Sequence, residues 1–94
     1  MDTEDAVVAL FALAHPARLA AFRAINAAGE TGLSAGQIAD TIQAPANTTS
    51  SHLNVLRGAG LLQAQRKGRS IIYTAERSHL HRLSAFLLAD IAPT

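Results

Sequence analysis

The stretch of sequence that decides the fold runs from residue 45 to residue 73 and reads PANTTSSHLNVLRGAGLLQAQRKGRSIIY. Its first half has the periodicity of a helix, because Thr49, Leu53 and Leu56 share one stripe when successive residues turn by about 100°. The residues opposite this stripe are short and polar. We therefore predict a helix at about residues 46–59, with one face packed and the other exposed.

The second half of the stretch has the pattern of a β-hairpin. Gly60 is typical of the left-handed residue that follows a helix, and two β-prone segments come after it. A short glycine-containing turn joins these segments and carries Arg66, Lys67 and Arg69. We expect a hairpin at about residues 61–75 whose tip is positively charged.

The polar face of the predicted helix and the basic hairpin together suit double-stranded DNA. Hydroxyl and amide side chains match the donors and acceptors on base-pair edges in the major groove, and asparagine pairs well with adenine. Cations on a hairpin beside such a helix suit the phosphate backbone or the narrow minor groove. The candidate DNA-binding residues are Asn47, Thr48, Ser50, Ser51, Asn54, Arg57, Arg66, Lys67 and Arg69.

Two runs in this stretch, TTSSHLNVLRGAGLL and QRKGRSIIYT, resemble the ArsR/SmtB family of small bacterial winged helix-turn-helix repressors. The family pattern is a Ser/Thr-rich helix start, then S-x-H-L-x-x-L-x-x-A-G-L, then R-x-G-R and a tyrosine. The N-terminal run ALAHPARLAAFRAI is similar to the family's second helix, so the resemblance covers almost the whole chain. The residues that fall on the pattern are Ser50, His52, Leu53, Leu56, Ala59, Gly60, Leu61, Arg66, Gly68, Arg69 and Tyr73.

The resemblance implies a mainly α fold with a small β-hairpin. It would be a winged helix-turn-helix of five helices plus a two-stranded wing, which dimerises through its first and last helices. The implied function is that of a sequence-specific DNA-binding transcriptional regulator, a homodimeric repressor of a near-palindromic operator. Two-fold symmetry would set the two recognition helices about 34–36 Å apart, or a multiple of that distance. The expected partners are double-stranded DNA and a second copy of the chain, with no membrane contact.

Local signals in the rest of the chain predict the other helices. Asp2 or Thr3 can cap a first helix at about residues 3–14. Pro16 suits the first position of a second helix, and Ser34 with Gln37 forms a capping box for a short third helix. A last helix is expected at about residues 77–91.

The first and last helices are more apolar than a single winged domain requires. We therefore predict that they pair across a dimer axis. The alternative is that both helices only close the core of one protomer, since a broad apolar stripe on a terminal helix also occurs in monomeric bundles. The predicted interface residues are Val7, Leu10, Leu80, Leu83, Leu87 and Ile91.

Composition limits the classes of protein that this chain can represent. Its 94 residues make a single domain, 1–94, and they include no cysteine, which excludes disulfides and thiolate chemistry. Hydrophobic residues make up 49%, but no run approaches the ~20 apolar residues of a membrane span. The start, MDTEDAVVAL, is acidic where a signal peptide would be basic, so we expect a cytoplasmic protein.

The distribution of charge is more informative than the net charge of +1. Residues 1–40 carry five acids against two arginines, a sum of −3. Residues 41–75 carry four cations and no acid, a sum of +4. Positive charge confined to the predicted helix and hairpin favours contact with phosphates, although a solvated basic turn is the alternative.

Metal sensing is the best-known activity of the family, but its ligand sets are incomplete in this sequence. The thiolate site is absent, and the terminal-helix pattern D-x-H has His79 where the aspartate is expected. On a helix His79 and His81 would point about 200° apart. We predict no metal site and no cofactor, and the alternative is a metal-responsive repressor that uses His79, His81 and Asp90 across the dimer. His15 and His52 are expected to be structural.

The sequence also contains features of two other classes of function. Residues 32–36 satisfy G-x-S-x-G, and Glu76 and His79 follow in the order that α/β hydrolases use. A short chain with a helix-dominated pattern cannot build the parallel sheet that this motif needs, and Ser34 is expected to cap a helix, so we predict no enzyme. The other alternative is a winged-helix protein-interaction module without DNA binding, which would not need a polar and cationic face.

Overall fold

The computed structural model describes residues 1–89, and this part of the chain is a mainly helical winged helix-turn-helix. A turn of 3-10 helix, Gly29–Thr31, follows the second helix. The predicted last helix is described as far as Ala89, and its expected end at residues 90–91 lies outside the described residues. The elements are α1 (Thr3–Leu13), α2 (Pro16–Ala27), β1 (Leu33–Ser34), α3 (Ala35–Ile42), α4 (Ala46–Gly58), β2 (Leu62–Lys67), β3 (Ser70–Ala75) and α5 (Arg77–Leu88).

The helices begin where their local sequence signals predict. The carboxylate of Asp2 caps α1 by accepting a hydrogen bond from the amide of Asp5 at 2.8 Å. Pro16 is the first residue of α2, where its missing N–H is not needed. The capping box of α3 is complete, because the amide of Gln37 donates to Ser34 Oγ at 3.2 Å and the amide of Ser34 donates to Gln37 Oε1 at 2.8 Å.

Strands β2 and β3 form the predicted two-stranded wing, and a third strand, which the sequence did not predict, extends the sheet. Strand β1 pairs antiparallel with β3, and the strand order is β1-β3-β2. The third strand is only Leu33 and Ser34, which face Tyr73 and Ile72. Two residues are too few to show the alternation that predicts a strand. They form a strand only because they pair with β3.

Helix α1 packs against the core through one face, and most of its large apolar side chains lie on another face. Ala6, Ala9 and Ala12 are buried, because small side chains let α1 lie close to α2 and α4. Val7 and Phe11, which are one helical turn apart, are 57% and 70% exposed. Most of the large apolar side chains of α1 are therefore exposed on the protomer, although Leu13 packs partly against the core.

The predicted dimer residues of α5 divide between core and surface. Leu83 is only 3% exposed and belongs to the core of the protomer, so its assignment to the dimer interface was wrong. Leu80 is partly buried against the same core. Leu87 is exposed, whereas Ile91 lies outside the described residues.

A sharp corner joins α1 to α2, whose axes differ by 97°. Arg18 braces this corner, because its Nε donates to the carbonyl oxygen of Ala12 at 2.7 Å and its Nη2 donates to that of Phe11 at 3.3 Å. No single helix between residues 1 and 89 is long and apolar enough to cross a membrane. Helices α1 and α2 have the required length and apolar composition only when they are taken together, and the sharp corner separates them.

Candidate nucleic-acid interface

The turn between α3 and α4 sets the direction of the second helix. Gln43 adopts a left-handed conformation with φ of 56° and ends α3. The amide of Ala44 then donates to the carbonyl oxygen of Ala39 at 3.0 Å, and Pro45 is extended before α4 begins. Helices α3 and α4 thus pack against each other as the helix-turn-helix pair.

Helix α4 has the two faces that its sequence predicts. Thr49, Leu53 and Leu56 are completely buried and fasten the helix to the core. The opposite face is exposed to solvent over its whole length. The side chains predicted to contact DNA from this helix are all exposed, namely Asn47, Thr48, Ser50, Ser51, Asn54 and Arg57.

The N-terminus of α4 offers a feature that the sequence did not reveal. Pro45 occupies the cap position and supplies no side-chain hydrogen bond, so the amides of the first turn have no capping group. Such amides, together with the positive end of the helix dipole, suit a phosphate oxygen. The absence of Ser, Thr, Asp or Asn at residue 45 is the signal that could have identified this feature.

The hydroxyl of Ser51 is oriented by its own helix. Its Oγ donates to the carbonyl oxygen of Asn47 at 3.2 Å. Because the single hydroxyl proton is used in this bond, the oxygen presents only acceptor lone pairs to solvent. In this conformation Ser51 suits an amino group on a base edge, such as cytosine N4 or adenine N6, rather than a phosphate.

The C-terminus of α4 is held by the chain that leads into the wing. Gly60 has φ of +83°, and its amide donates to the carbonyl oxygen of Arg57 at 2.9 Å. The amide of Leu61 donates to the carbonyl oxygen of Leu56 at 3.0 Å. Gly60 is therefore the left-handed residue after the helix, as its sequence predicts.

Strands β2 and β3 form the predicted basic hairpin. The last pair of the ladder is Lys67 with Ser70, so Gly68 and Arg69 make the turn. Gly68 has φ of +62°, which favours glycine at this position. Arg66, Lys67 and Arg69 are all exposed, so three cations occupy four residues at the tip of the wing.

The base of the wing is tied to the helices. The amide of Glu76 donates to the carbonyl oxygen of Leu61 at 2.8 Å. The hydroxyl of Ser78 and the side-chain amide of Gln63 both donate to the carboxylate of Glu76, and these bonds lower the pKa of Glu76. This negative charge lies at the base of the hairpin, away from the basic tip.

His15 and His52 form a contact between the corner of α1 and α2 and the helix α4. Nδ1 of His15 accepts a hydrogen bond from the amide of Ala17 at 3.1 Å and so caps α2. The ring of His52 lies against that of His15, with centroids 4.7 Å apart. Burial lowers the pKa of His52, and the nearby His15 and Arg18 lower it further.

The histidines of α5 do not assemble a metal site within residues 1–89. The ring of His79 lies against Gly60, and its Nδ1 is 3.5 Å from the guanidinium of Arg82. His81 is exposed, and Asp90 lies outside the described residues. No group of three potential metal ligands occurs in the described part of the chain.

Comparison with known proteins agrees with this architecture. A family model described as a helix-turn-helix domain matches residues 13–63. The chain is 32% identical over 86 residues to the HTH-type transcriptional regulator YgaV of Escherichia coli (strain K12), and the match covers 92% of this chain and 85% of that protein.

Two solved structures have the same fold. An ArsR-like transcriptional regulator from Rhodococcus sp. RHA1 matches with a TM-score of 0.81 at 23% identity, over 92% of this chain and 78% of that one. A homodimeric winged helix-turn-helix DNA-binding domain from Mycobacterium bovis, a possible ArsR-family regulator, matches with a TM-score of 0.75 at 20% identity. That match covers 97% of this chain and 89% of the other.

Proposed function

We propose that this chain, which belongs to the ArsR/SmtB family of winged helix-turn-helix transcriptional regulators, acts as a homodimeric repressor of a near-palindromic operator. DNA-binding transcriptional regulation is the function of its family. One observation carries the proposal for this chain, namely the exposed polar face of α4 beside the wing with three cations at its tip. Residues 41–75, which contain both, carry no acid that would repel phosphates.

In this proposal α4 lies in the major groove and reads the bases. Asn47 and Asn54 are suited to adenine, which an amide can contact through both N6 and N7. Ser51 lies on the same exposed face and accepts from amino groups. Thr48 and Ser50 flank this face and contact bases or phosphates, and Arg57 at the far end of the helix reaches the backbone.

The wing holds the duplex without reading its sequence. Arg66, Lys67 and Arg69 contact phosphates or enter the narrow minor groove beside the recognition helix. The amides at the N-terminus of α4 contribute a further phosphate contact. These contacts fix the register of the protein on the duplex.

The dimer in this proposal forms through α1 and α5. Val7 and Phe11 are more than half exposed, Leu10 is 41% exposed, and their spacing places them side by side on α1, so they form an apolar patch of the kind that marks an interaction surface. Leu87 and Leu88 of α5 are also exposed. The Mycobacterium bovis domain with this fold is homodimeric, which supports the same arrangement here. The proposal places the protein in the cytoplasm with its DNA.

Selection of bound duplexes from a random pool, followed by titration of the selected operator, tests the function. We expect Asn47→Ala and Asn54→Ala to reduce the preference for operator over random duplex by ~1–3 kcal/mol where a bidentate contact is lost. Both variants should remain folded, because the two side chains are exposed. Leu53→Ala is the packing control, and it should lower stability because Leu53 is completely buried.

The alternative of a winged domain that contacts only proteins makes a different prediction. Such a domain would bind duplex DNA weakly and with little dependence on salt. Selection that enriches no sequence, or loss of folding in the Asn47 and Asn54 variants, would contradict the proposed recognition helix.

A further inference from the structure

The wing contains the only lysine in the chain. The sequence has eight basic residues of the Lys and Arg types, and seven of them are arginine. The exception is Lys67, the last residue of β2 at the tip of the wing, and its side chain is exposed. The only other amine in the sequence as given is the α-amino group of Met1.

This distribution matters because the two cations differ in reactivity. The guanidinium of arginine stays protonated and is not an acyl acceptor, whereas lysine exchanges between an ammonium and a nucleophilic amine and is a target of acetylation. Stable amide formation at a side-chain nitrogen of this chain is therefore confined to Lys67, since acyl groups on histidine hydrolyse readily. The reaction would modify the wing and leave the other seven cations unchanged.

We propose that Lys67 is a modification site for small acyl phosphates, and that its acylation weakens the hold of the wing on DNA. The inference rests on the proposed function. Arg66 and Arg69 lie within the same four-residue tip and are exposed. Their positive charges raise the local concentration of an anionic acyl phosphate around the tip, an effect that acts over several ångströms and therefore includes Arg66, whose side chain points to the opposite face of β2 from Lys67.

The reaction balances without a further reactant. The uncharged ε-amine of Lys67 attacks the acyl carbon and forms the amide N–C bond. The bond between the acyl carbon and the phosphate oxygen breaks, and inorganic phosphate leaves with the electron pair. The proton lost from the nitrogen passes to solvent.

Acylation lowers the positive charge with which the wing is proposed to bind phosphates. It replaces an ammonium by a neutral amide, so the tip falls from three positive charges to two in each protomer. Each lost phosphate contact lowers the dependence of log K on log salt concentration by about 0.9. Two modified protomers would thus lower the slope by about 1.8 and weaken operator binding roughly 100-fold, about tenfold for each lost charge-assisted hydrogen bond.

Bound DNA should protect the site. In the proposed complex the tip of the wing faces the phosphates, so the amine of Lys67 is covered while the protein is on its operator. Acylation would then act on free protein and delay its return to DNA. The proposed phosphate contact of Lys67 therefore contributes to DNA binding and also makes its acylation depend on whether the operator is occupied.

The test treats the full chain with acetyl phosphate, maps the added acetyl groups by mass spectrometry, and titrates operator DNA in a salt series. Lys67→Arg is treated in parallel, and each protein is compared with its own untreated form. We expect acetylation of Lys67, protection by prebound operator, and weaker binding with a lower salt slope. Treated Lys67→Arg should bind as its untreated form does, even if Met1 is acetylated.

The outcomes separate the inference from the function on which it rests. Failure of the untreated protein to bind any duplex would overturn the proposed function. Normal binding before treatment, with Lys67 left unmodified or with equal losses in the treated wild type and Lys67→Arg, would overturn the modification site alone. Lys67→Gln, which removes the charge without chemistry, should reproduce the lower salt slope.

Discussion

At the scale of single residues, Gly29 and Gly32 form a matched pair in the segment between α2 and α3. Both have positive φ, +62° for Gly29 and +66° for Gly32, and Gly32 combines it with ψ of −172°, a backbone region that essentially only glycine adopts. A Cβ at Gly29 would meet no atom within 4 Å. A Cβ at Gly32 would clash with the carbonyl oxygen of Tyr73 and lie 2.8 Å from Cγ2 of Ile72.

We therefore expect the two alanine variants to differ in stability. Gly29→Ala should lower the free energy of unfolding by about 1 kcal/mol, from its backbone conformation alone. Gly32→Ala should lower it by ~2 kcal/mol more, because the added methyl pushes β1 away from β3. Urea denaturation measures both values, and equal losses would contradict the close approach of Gly32 to the sheet.

A second prediction at this scale concerns pH and His52. Burial, His15 and Arg18 hold the pKa of His52 below its usual value of 6.5. The unfolded chain therefore binds this proton at a higher pH than the folded chain does. Above pH 6.5 His52 is neutral in both states and does not lower the free energy of unfolding. As the pH falls from 6.5 toward the lowered pKa, the unfolded chain gains the proton first, and the free energy of unfolding decreases.

Melting curves of the wild type and His52→Gln test this dependence. The wild type should lose melting temperature more steeply than the variant between about pH 7.5 and about pH 5.5, the range in which histidine titrates. The variant removes only the contribution of His52, since the other histidines remain. Parallel curves for the two proteins would mean that His52 gains its proton equally well in the folded chain.

At the scale of elements, the proposal assigns affinity to the wing and sequence specificity to α4. The cations of the wing are exposed on the hairpin, and the proposed base-reading residues are exposed on α4. We expect the double variant Arg66→Ala, Arg69→Ala to bind all duplexes more weakly. Its salt slope should fall by about 0.9 for each lost phosphate contact.

Arg23→Ala is the matched control for the wing. Arg23 is an exposed arginine of α2, outside the hairpin, and Arg23→Ala removes one positive charge, so its slope is compared with half of the change in the double variant. Titrations of one duplex at several salt concentrations give the slopes of both proteins. A slope that is unchanged in the double variant would contradict the role of the wing.

At the scale of the whole molecule, the outward face of α1 predicts association. Val7 is 57% exposed on this face. Val7→Glu should leave the fold intact and weaken dimerisation by at least about tenfold, because a carboxylate buried without a partner costs several kcal/mol. Light scattering over a range of concentrations measures the effect.

The control for this variant is Thr41→Glu, which adds the same charge to an exposed position of α3. It should dimerise like the wild type if α1 supplies the interface. A monomeric wild type, or equal dimerisation of all three proteins, would favour the alternative in which α1 only closes the core of the protomer.

Release of the dimer from its operator also depends on the molecule as a whole. A ligand releases such a repressor only by binding one dimer shape more tightly than the other. The chain has no cysteine, and residues 1–89 contain no group of three metal ligands. We expect zinc and nickel at micromolar concentrations to leave operator complexes intact, so that control comes from an organic ligand, a protein partner or protein concentration.

Titration of operator complexes with the two metals, read by fluorescence anisotropy, tests this expectation. Release that disappears in the His79→Ala, His81→Ala double variant would contradict it. Such a result would favour the alternative metal site that these two histidines share with Asp90 across the dimer.

The elements that could be predicted from the sequence are those whose signals lie within a few neighbouring residues. The buried face of α4 follows from the spacing of Thr49, Leu53 and Leu56, and the start of α3 follows from the capping box of Ser34 and Gln37. Each of these signals lies within a few residues, so its physical cause is complete in the sequence. The exposure of the polar face of α4 follows from the same spacing.

The features that depend on residues distant in the chain could not be predicted and follow from the packing of the folded protein. Strand β1 exists because Leu33 meets Tyr73, and α1 buries alanine because small side chains allow close packing on α2 and α4. The assignment of Leu83 to the dimer failed for the same reason, since an apolar stripe does not say which neighbour covers it. A hydrophobic side chain gains the same free energy in either place, and only the packed chain determines which surface remains open.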